Sequence, residues 1–450
     1  MAASVQTFPQ KFTNWACQPI LTQAPTASWT ARISLVDTYA CMIVGASVRQ
    51  SAVAVQALED SGDDGTVKPI GGGSTRSLYG AALVNGARAH ALDFDDYEIP
   101  GSTHVSAPIF SALLALSQRF QLSIGEVCDA WVVGYEAIVR VGMALGYGHY
   151  EKGWHATATL GPIGVAAACS RALGLNPQQA AHAMTLATSS SAGMKSQFGF
   201  DAKALHAGLA AEAGLRAAML AKAGATGNIN IWDAPQGLMD MYGTALSIGF
   251  EAVTDAMREG EATSEFPVVR KFWPSCSYSH RVIACAQNLA PKIQPGEAIE
   301  RIIIRMPEPF HRVSGFLVPS TSNEARFSAS YCTVVGLLTG QVVPDDFTEP
   351  RFLSPERKRL CSLVELDLYP LPFVPPDQLL AVTPERVMVK LSSGRWIEHE
   401  TTVTPGGDQQ PMTEEDVLTK LIACGGRRSV GEVLLNTPLA QVLNPEMLEL

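Results

Sequence analysis

Residues 126–145 read EVCDAWVVGYEAIVRVGMAL. Apolar side chains recur here at spacings of three and four, which gathers them on one face of a 3.6-residue helix. The same spacing appears upstream in ISLVDTYACMIVGA (33–46) and APIFSALLALSQRF (107–120). Downstream, residues 160–225 are rich in Ala and Gly, side chains small enough to let helices pack closely. LGLNPQQAAHAM (173–184) holds a helix stop and a new start, with Asn176 as the cap before Pro177. Residues 1–263 are therefore expected to form an all-α domain.

The texture changes after residue 264. ERIIIRMP (300–307) alternates and is β-branched, so it reads as a strand, and RVMVKLSSGRWIEHETTVT (386–404) reads as a hairpin around Ser392-Ser393-Gly394. A helix is expected over 323–339, and the prolines of PLPFVPP (370–376) mark a loop. TPGGDQQPMTEEDVLTKLIACGG (404–426) returns to helix, starting at Thr413. The expected layout is mainly α. A large all-α domain spans 1–263, a smaller α+β domain spans 264–407, and C-terminal helices over 408–450 rejoin the helical domain.

Bulk properties narrow the function. A chain of 450 residues exceeds one simple core. With 47% hydrophobic and 17% charged residues, part of its apolar surface is expected at a subunit interface. The net charge of −10 argues against nucleic acid and anionic membranes as partners, while leaving room for a local cationic pocket. Nine cysteines are scattered singly, with no C-x2-C pair, so neither a disulfide framework nor a zinc or iron–sulfur cluster is signalled. That usage points to a reducing compartment, the cytoplasm, and the N-terminus lacks the basic start and apolar run of a secretory signal. GWHATATLGPIGVAAACS (153–170) is the most membrane-like stretch, but His155 and the Gly161-Pro162 break argue against a span.

Four stretches could carry chemistry. HALDFDDYEIPGSTHVSAP (90–108) puts Asp93, Asp95 and Asp96 within four residues and His104 just beyond a turn. A helix cap, a metal site and an acid–base loop are the three readings; a metal would need further converging oxygen ligands, which the sequence does not offer. YGHYEKGWHATATLGPIG (147–164) places His155 at a helix start, where free N–H groups suit an anion, although a histidine packing the helix end fits equally. FGFDAKALHAGLAAEAG (198–214) puts Lys203 and His206 on one helix face among small apolar residues. VVRKFWPSCSYSH (268–280) opens the second domain with Arg270 and Lys271 and ends at His280. Histidine, lysine and aspartate from both domains suit an anionic substrate held between them.

These stretches resemble the MmgE/PrpD family, whose members include 2-methylcitrate dehydratase, cis-aconitate decarboxylase and iminodisuccinate epimerase. The resembling pieces are VNGARAHALDFDD, THVSAP, GWHATATLGPIGVAAACSRALGL, DAKALHAGLAAEAGL, KFWPSCSYSH and STSNEARFSASY, in the family's order and over nearly the whole chain. The resemblance implies a helical domain with an α+β lid, in a homodimer. It also implies site residues: Asp93 as the pocket acid, with His104, His155, Lys203, Lys271 and His280, and His206 in the K-x-L-H motif. The lid position that is tyrosine in the decarboxylase branch holds His311. Threonine usually follows DFDD, and here it is Tyr97; the loop to His104 is one residue longer than in the decarboxylases.

The chemistry implied is cleavage of a C–H or C–C bond beside a carboxylate. The resemblance implies Asp93, His104, His155 and Lys203 as catalytic and Tyr97, His206, Lys271, His280 and His311 as substrate-binding, with no metal and no cofactor. The expected activity is a cofactor-independent dehydratase or decarboxylase acting on a small di- or tricarboxylic acid. An epimerase of an iminodisuccinate-like dicarboxylate and a non-catalytic anion-binding protein are the alternatives.

Overall fold

The computed structural model describes residues 6–18, 25–255, 262–352, 354–372 and 382–448. The helical part is built from α1 (Phe8–Ala16), α2 (Pro25–Gly45), α3 (Arg49–Asp60), α4 (Leu78–His90), α5 (Ser106–Phe120), α6 (Ile124–Leu145), α7 (Tyr147–Glu151), α8 (Ala156–Ala172), α9 (Pro177–Ala187) and α10 (Asp201–Lys222). α6 is the quoted stretch, buried along nearly its whole length. Its start is fixed by a reciprocal cap in which Ser123 Oγ accepts from Glu126 N–H and Glu126 accepts from Ser123 N–H. Asn176 caps α9 in the same way, as the sequence predicts. The membrane-like run 153–170 is largely α8, packed against α6 and α10 in the core. No single helix among the described residues is long and apolar enough to cross a membrane.

Small residues set the spacing of the central helices. Gly86 on α4 faces Gly208 on α10, and a Cβ at Gly86 would lie 2.5 Å from the Gly208 Cα. A Cβ at Gly208 would lie 2.3 Å from the Leu83 carbonyl oxygen. Only glycine permits this backbone approach. It brings the first turn of α10, which carries Lys203, over the segment that leaves α4.

The second part holds a four-stranded sheet in the order β2-β1-β3-β4, with β1 (Ile299–Pro307), β2 (Val364–Tyr369), β3 (Glu385–Leu391) and β4 (Trp396–Thr401). β1 pairs with β2 in parallel and with β3 antiparallel, and β3–β4 is the hairpin read from the sequence. Val387, Val389 and Leu391 alternate into a second core with the helices His280–Leu289 and Ala329–Thr339. The single helix expected over 323–339 is two helices, Ser322–Arg326 and Ala329–Thr339. Ser328 breaks it, because its side chain accepts from Tyr331 N–H and starts the second helix. Of the proline cluster 370–376, residues 373–376 lie outside the described residues.

The helix Glu414–Ala423 starts at Thr413 with a cap closed by Asp416. It packs on α2, and its apolar residues Val417, Leu418 and Leu421 join the core of the helical part.

Candidate active site

α4 ends at His90 because the chain turns there: Asp93 adopts φ +52°, and its N–H bonds back to the His90 carbonyl. Asp is among the few non-glycine residues that tolerate this region. The residues of DFDDYE then separate their duties. Asp93 Oδ1 accepts from Lys203 Nζ at 2.6 Å, and Lys271 Nζ lies 3.2 Å from Oδ2 while donating to the Asp93 carbonyl at 2.8 Å. Asp95 takes both oxygens to His90 Nδ1, at 2.8 and 3.0 Å. Asp96 accepts from the backbone N–H and hydroxyl of Ser106, holding the start of α5. Glu98 closes the turn by accepting from Gly101 and Thr103 N–H. The capping reading thus holds for Asp96 alone of the three aspartates.

A buried cavity opens beside this loop. Asp93, His104, His155 and Lys203 line it, with Tyr97, Phe198, Phe327, Arg281 and Glu385 around them. His104 stands between two carboxylates, Nδ1 at 3.1 Å from Asp95 and Nε2 at 3.4 Å from Asp93. Lys203 also donates to His90 Nε2 at 2.8 Å. That bond fixes His90. Its Nδ1 carries the proton donated to Asp95, so its Nε2 is bare and accepts from the lysine. Phe198 and Phe327 flank the lysine, each with its ring centre 5.2 Å from Nζ.

Burial and charge set the protonation states. Burial alone would raise Asp93, but Lys203 and Lys271 hold it well below the usual carboxylate range. Burial pushes His90 down to about 3, with Lys203 adding to it and Asp95 opposing, which agrees with a neutral ring. Burial also lowers His104, against the pull of Asp95. Glu385 is raised to about 8 by burial, and Arg281 counters only part of it; its Oε2 is buried without a partner.

One atom each from His90, Asp93, Asp95 and His104 lie within 4.8 Å of one another, a donor set that could suit a metal ion. The positions a cation would take beside Asp93 are already held by two lysine side chains, so the cluster is charge-compensated from within the chain.

The remaining expected residues fall in three places. Tyr97 lines the cavity, fixed by paired backbone hydrogen bonds with Val269, and its ring lies 6.3 Å from that of His104. Lys271 and His280 lie behind the wall rather than on it. Lys271 is fully buried under Asp93, and His280, packed on Trp273, sits 3.3 Å from the Ser275 carbonyl. His206 sits behind His155, their Nδ1 atoms 2.8 Å apart. His311 does not line the cavity, although Phe310 and Val313 of the same helix do. Phe310 and Val313, three apart, share a helix face, whereas His311 lies one and two positions from them and faces another way, packing near Gly315. His90, Arg281 and Glu385 carry no role in the motifs of the sequence, and Asp95 enters there only as one of the three clustered aspartates. His90 was legible as the first letter of HALDFDD, whereas Arg281 and Glu385 reach the cavity only through tertiary packing.

Family models of the MmgE/PrpD N-terminal domain and the MmgE/PrpD C-terminal domain match residues 10–251 and 273–432. The chain belongs to the MmgE/PrpD family. A cis-aconitate decarboxylase-like protein, oryM, of Aspergillus oryzae is 28% identical over 415 residues, covering 87% of this chain and 84% of the relative. Human cis-aconitate decarboxylase is 28% identical over 354 residues, covering 76% and 72%. The cis-aconitate decarboxylase of Aspergillus terreus is 26% identical over 469 residues, covering 92% and 91%. In this MmgE/PrpD chain, the motifs that carry the resemblance meet around one cavity: DFDD, the loop to His104, GWH and K-x-L-H each contribute a wall residue.

Proposed function

We propose that this MmgE/PrpD lyase acts on a small di- or tricarboxylic acid of the cis-aconitate or 2-methylcitrate type by general acid–base catalysis, without a cofactor. The observation that carries the reading is the Asp93–Lys203 pair in the wall of a cavity shared with His104 and His155. Breaking a bond beside a carboxylate builds negative charge on the neighbouring carbon and its carboxyl oxygens. Lys203 is placed to stabilise that charge, with Lys271 holding Asp93 from behind. Phe198 and Phe327 keep water from the lysine, which strengthens its attraction for an anion. His104 and His155 are neutral imidazoles that can take or give the proton. In decarboxylation, the C–CO2 bonding pair stays on carbon as CO2 leaves, and a histidine N–H then supplies the new C–H proton. In dehydration, one imidazole takes the carbon-bound proton and the other gives its proton to the leaving hydroxyl.

The names of the relatives favour decarboxylation, and the reading includes a cytoplasmic homodimer. Proton NMR in D2O decides it, with EDTA-treated enzyme given cis-aconitate, 2-methylcitrate, citrate and iminodisuccinate in turn. A new alkene product or released CO2 supports the lyase reading and names the substrate type. Deuterium entering an unchanged formula makes the enzyme an epimerase. No reaction with any of the four defeats the substrate class.

A further inference from the structure

His155 and His206 are joined through the same ring position, with Nδ1 facing Nδ1 at 2.8 Å. His155 caps the start of α8, where its N–H bonds to the Gly193 carbonyl. It lines the cavity, is 1% exposed, and has a buried Nε2 without a partner. His206, one turn along α10 from Lys203, is only partly buried. Gly193 lies against its outer edge: a Cβ there would stand 3.3 Å from His206 Cε1 and 3.4 Å from Nε2. The pair therefore runs from the cavity towards the outside.

Such a bond couples the two tautomers. Burial, with Lys203 second, lowers His206 to about 4 and carries His155 well below its ordinary value, so both rings are neutral near pH 7. Each neutral ring has one proton. One Nδ1 must donate and the other must accept, so the accepting ring keeps its proton on its outer Nε2. When His206 donates, His155 presents Nε2–H to the cavity and is an acid. When His155 donates, its Nε2 is bare and is a base.

We propose that His155 and His206 form a two-ring proton relay, with His206 as the positioning residue that sets whether His155 acts as acid or base. This rests on the acid–base reading of the site given above. A neutral imidazole that gave up its proton alone would become an imidazolate, far too basic to form near pH 7. The relay avoids that. The His155 Nε2–H bond breaks as its proton goes to the substrate carbon. The His206 Nδ1 proton moves to His155 Nδ1, and water supplies a proton to His206 Nε2, leaving hydroxide that the buffer neutralises. Both rings end neutral in the opposite tautomers. Once product leaves, water in the cavity reprotonates His155 Nε2 and the chain runs back.

The first test needs no substrate. Nitrogen-15 NMR of histidine-labelled enzyme at neutral pH is expected to show one of the two rings as the Nδ1–H tautomer and the other as Nε2–H; two Nε2–H rings, or a charged ring, overturn the relay. The second test compares H206Q with wild type on whichever acid proves to be turned over. We expect kcat to fall by at least about tenfold with KM within about threefold, and imidazole in the buffer to restore much of the loss. An unchanged kcat, or a loss that imidazole does not touch, also overturns it. If no acid is turned over, the substrate reading fails while the tautomer measurement still decides the relay.

Discussion

Lys203 on α10 donates to Asp93 at 2.6 Å although the two lie 110 residues apart, and both are almost fully buried. An aspartate in such a place needs its cation. K203M is expected to cost about 3–5 kcal/mol of stability, because Asp93 is left with Lys271 alone. D93N alone strands both lysines, whereas the double variant strands Lys271 only, so the double variant should be more stable than the sum of the single losses predicts. Urea unfolding of the four proteins gives the coupling. Additive losses would mean that the two groups do not pair in solution. Turnover should be lost by at least about a hundredfold in either single variant, and in the double.

The elements that place this pair were legible to different degrees. The helical periodicity of residues 126–145 and the alternation of ERIIIRMP point to a helical part and a sheet, although α6 is buried on nearly all its faces and β1 alternates in burial only from Ile302 to Met306. The clustering of Asp93, His104, His155 and Lys203 follows from the motifs of the resemblance. The division of labour among the acidic residues of DFDDYE was not legible. It depends on which donor reaches each one, and Ser106, His90 and Lys203 come from three different helices or helix ends. His206 shares a helix face with Lys203 as its spacing predicts, yet it reaches His155 rather than the cavity wall.

His311 provides a contrast. The resemblance sets it at a lid position that is tyrosine in the decarboxylase branch, but the cavity wall is lined by Phe310 and Val313 of the same helix. H311A is expected to change kcat/KM by less than about threefold, whereas F310A should raise KM and lower stability by about 3–5 kcal/mol by emptying a buried aromatic site. Steady-state kinetics on the two variants check this. A large loss in H311A alone would mean that the lid turns this helix towards the substrate.

Lys420 supports the site from the helix Glu414–Ala423. Its Nζ donates to Asp37 Oδ1 at 2.7 Å, to the Phe94 carbonyl at 2.7 Å and to the Lys271 carbonyl at 3.0 Å. It thus ties α2, the DFDD loop and the Lys271 segment together without touching the cavity. Nothing in the sequence marks it, since Asp37 lies 383 residues away. K420M should cost about 3–5 kcal/mol through the stranded Asp37, and kcat should fall through displacement of the loop. Calorimetry and kinetics on K420M and on D37N/K420M separate the two effects. The double variant should recover stability and leave kcat low, and full recovery of kcat would show that the loop keeps its place without the lysine.

Glu385 makes the pH dependence of stability testable. Burial raises it to about 8, so the folded chain keeps its proton at pH values where the unfolded chain, with an ordinary value of 4.5, has lost it. The sign follows: the contribution is fully present below about pH 4.5 and is lost as the pH rises through about 8. Within that window the group withdraws about 1.4 kcal/mol of stability per pH unit. E385Q carries an amide that cannot ionise. Its stability relative to wild type should therefore climb at that slope up to about pH 8 and level off above. Urea midpoints of both proteins between about pH 5 and about pH 9 measure it. A difference that does not vary with pH would mean that Arg281 holds Glu385 ionised throughout.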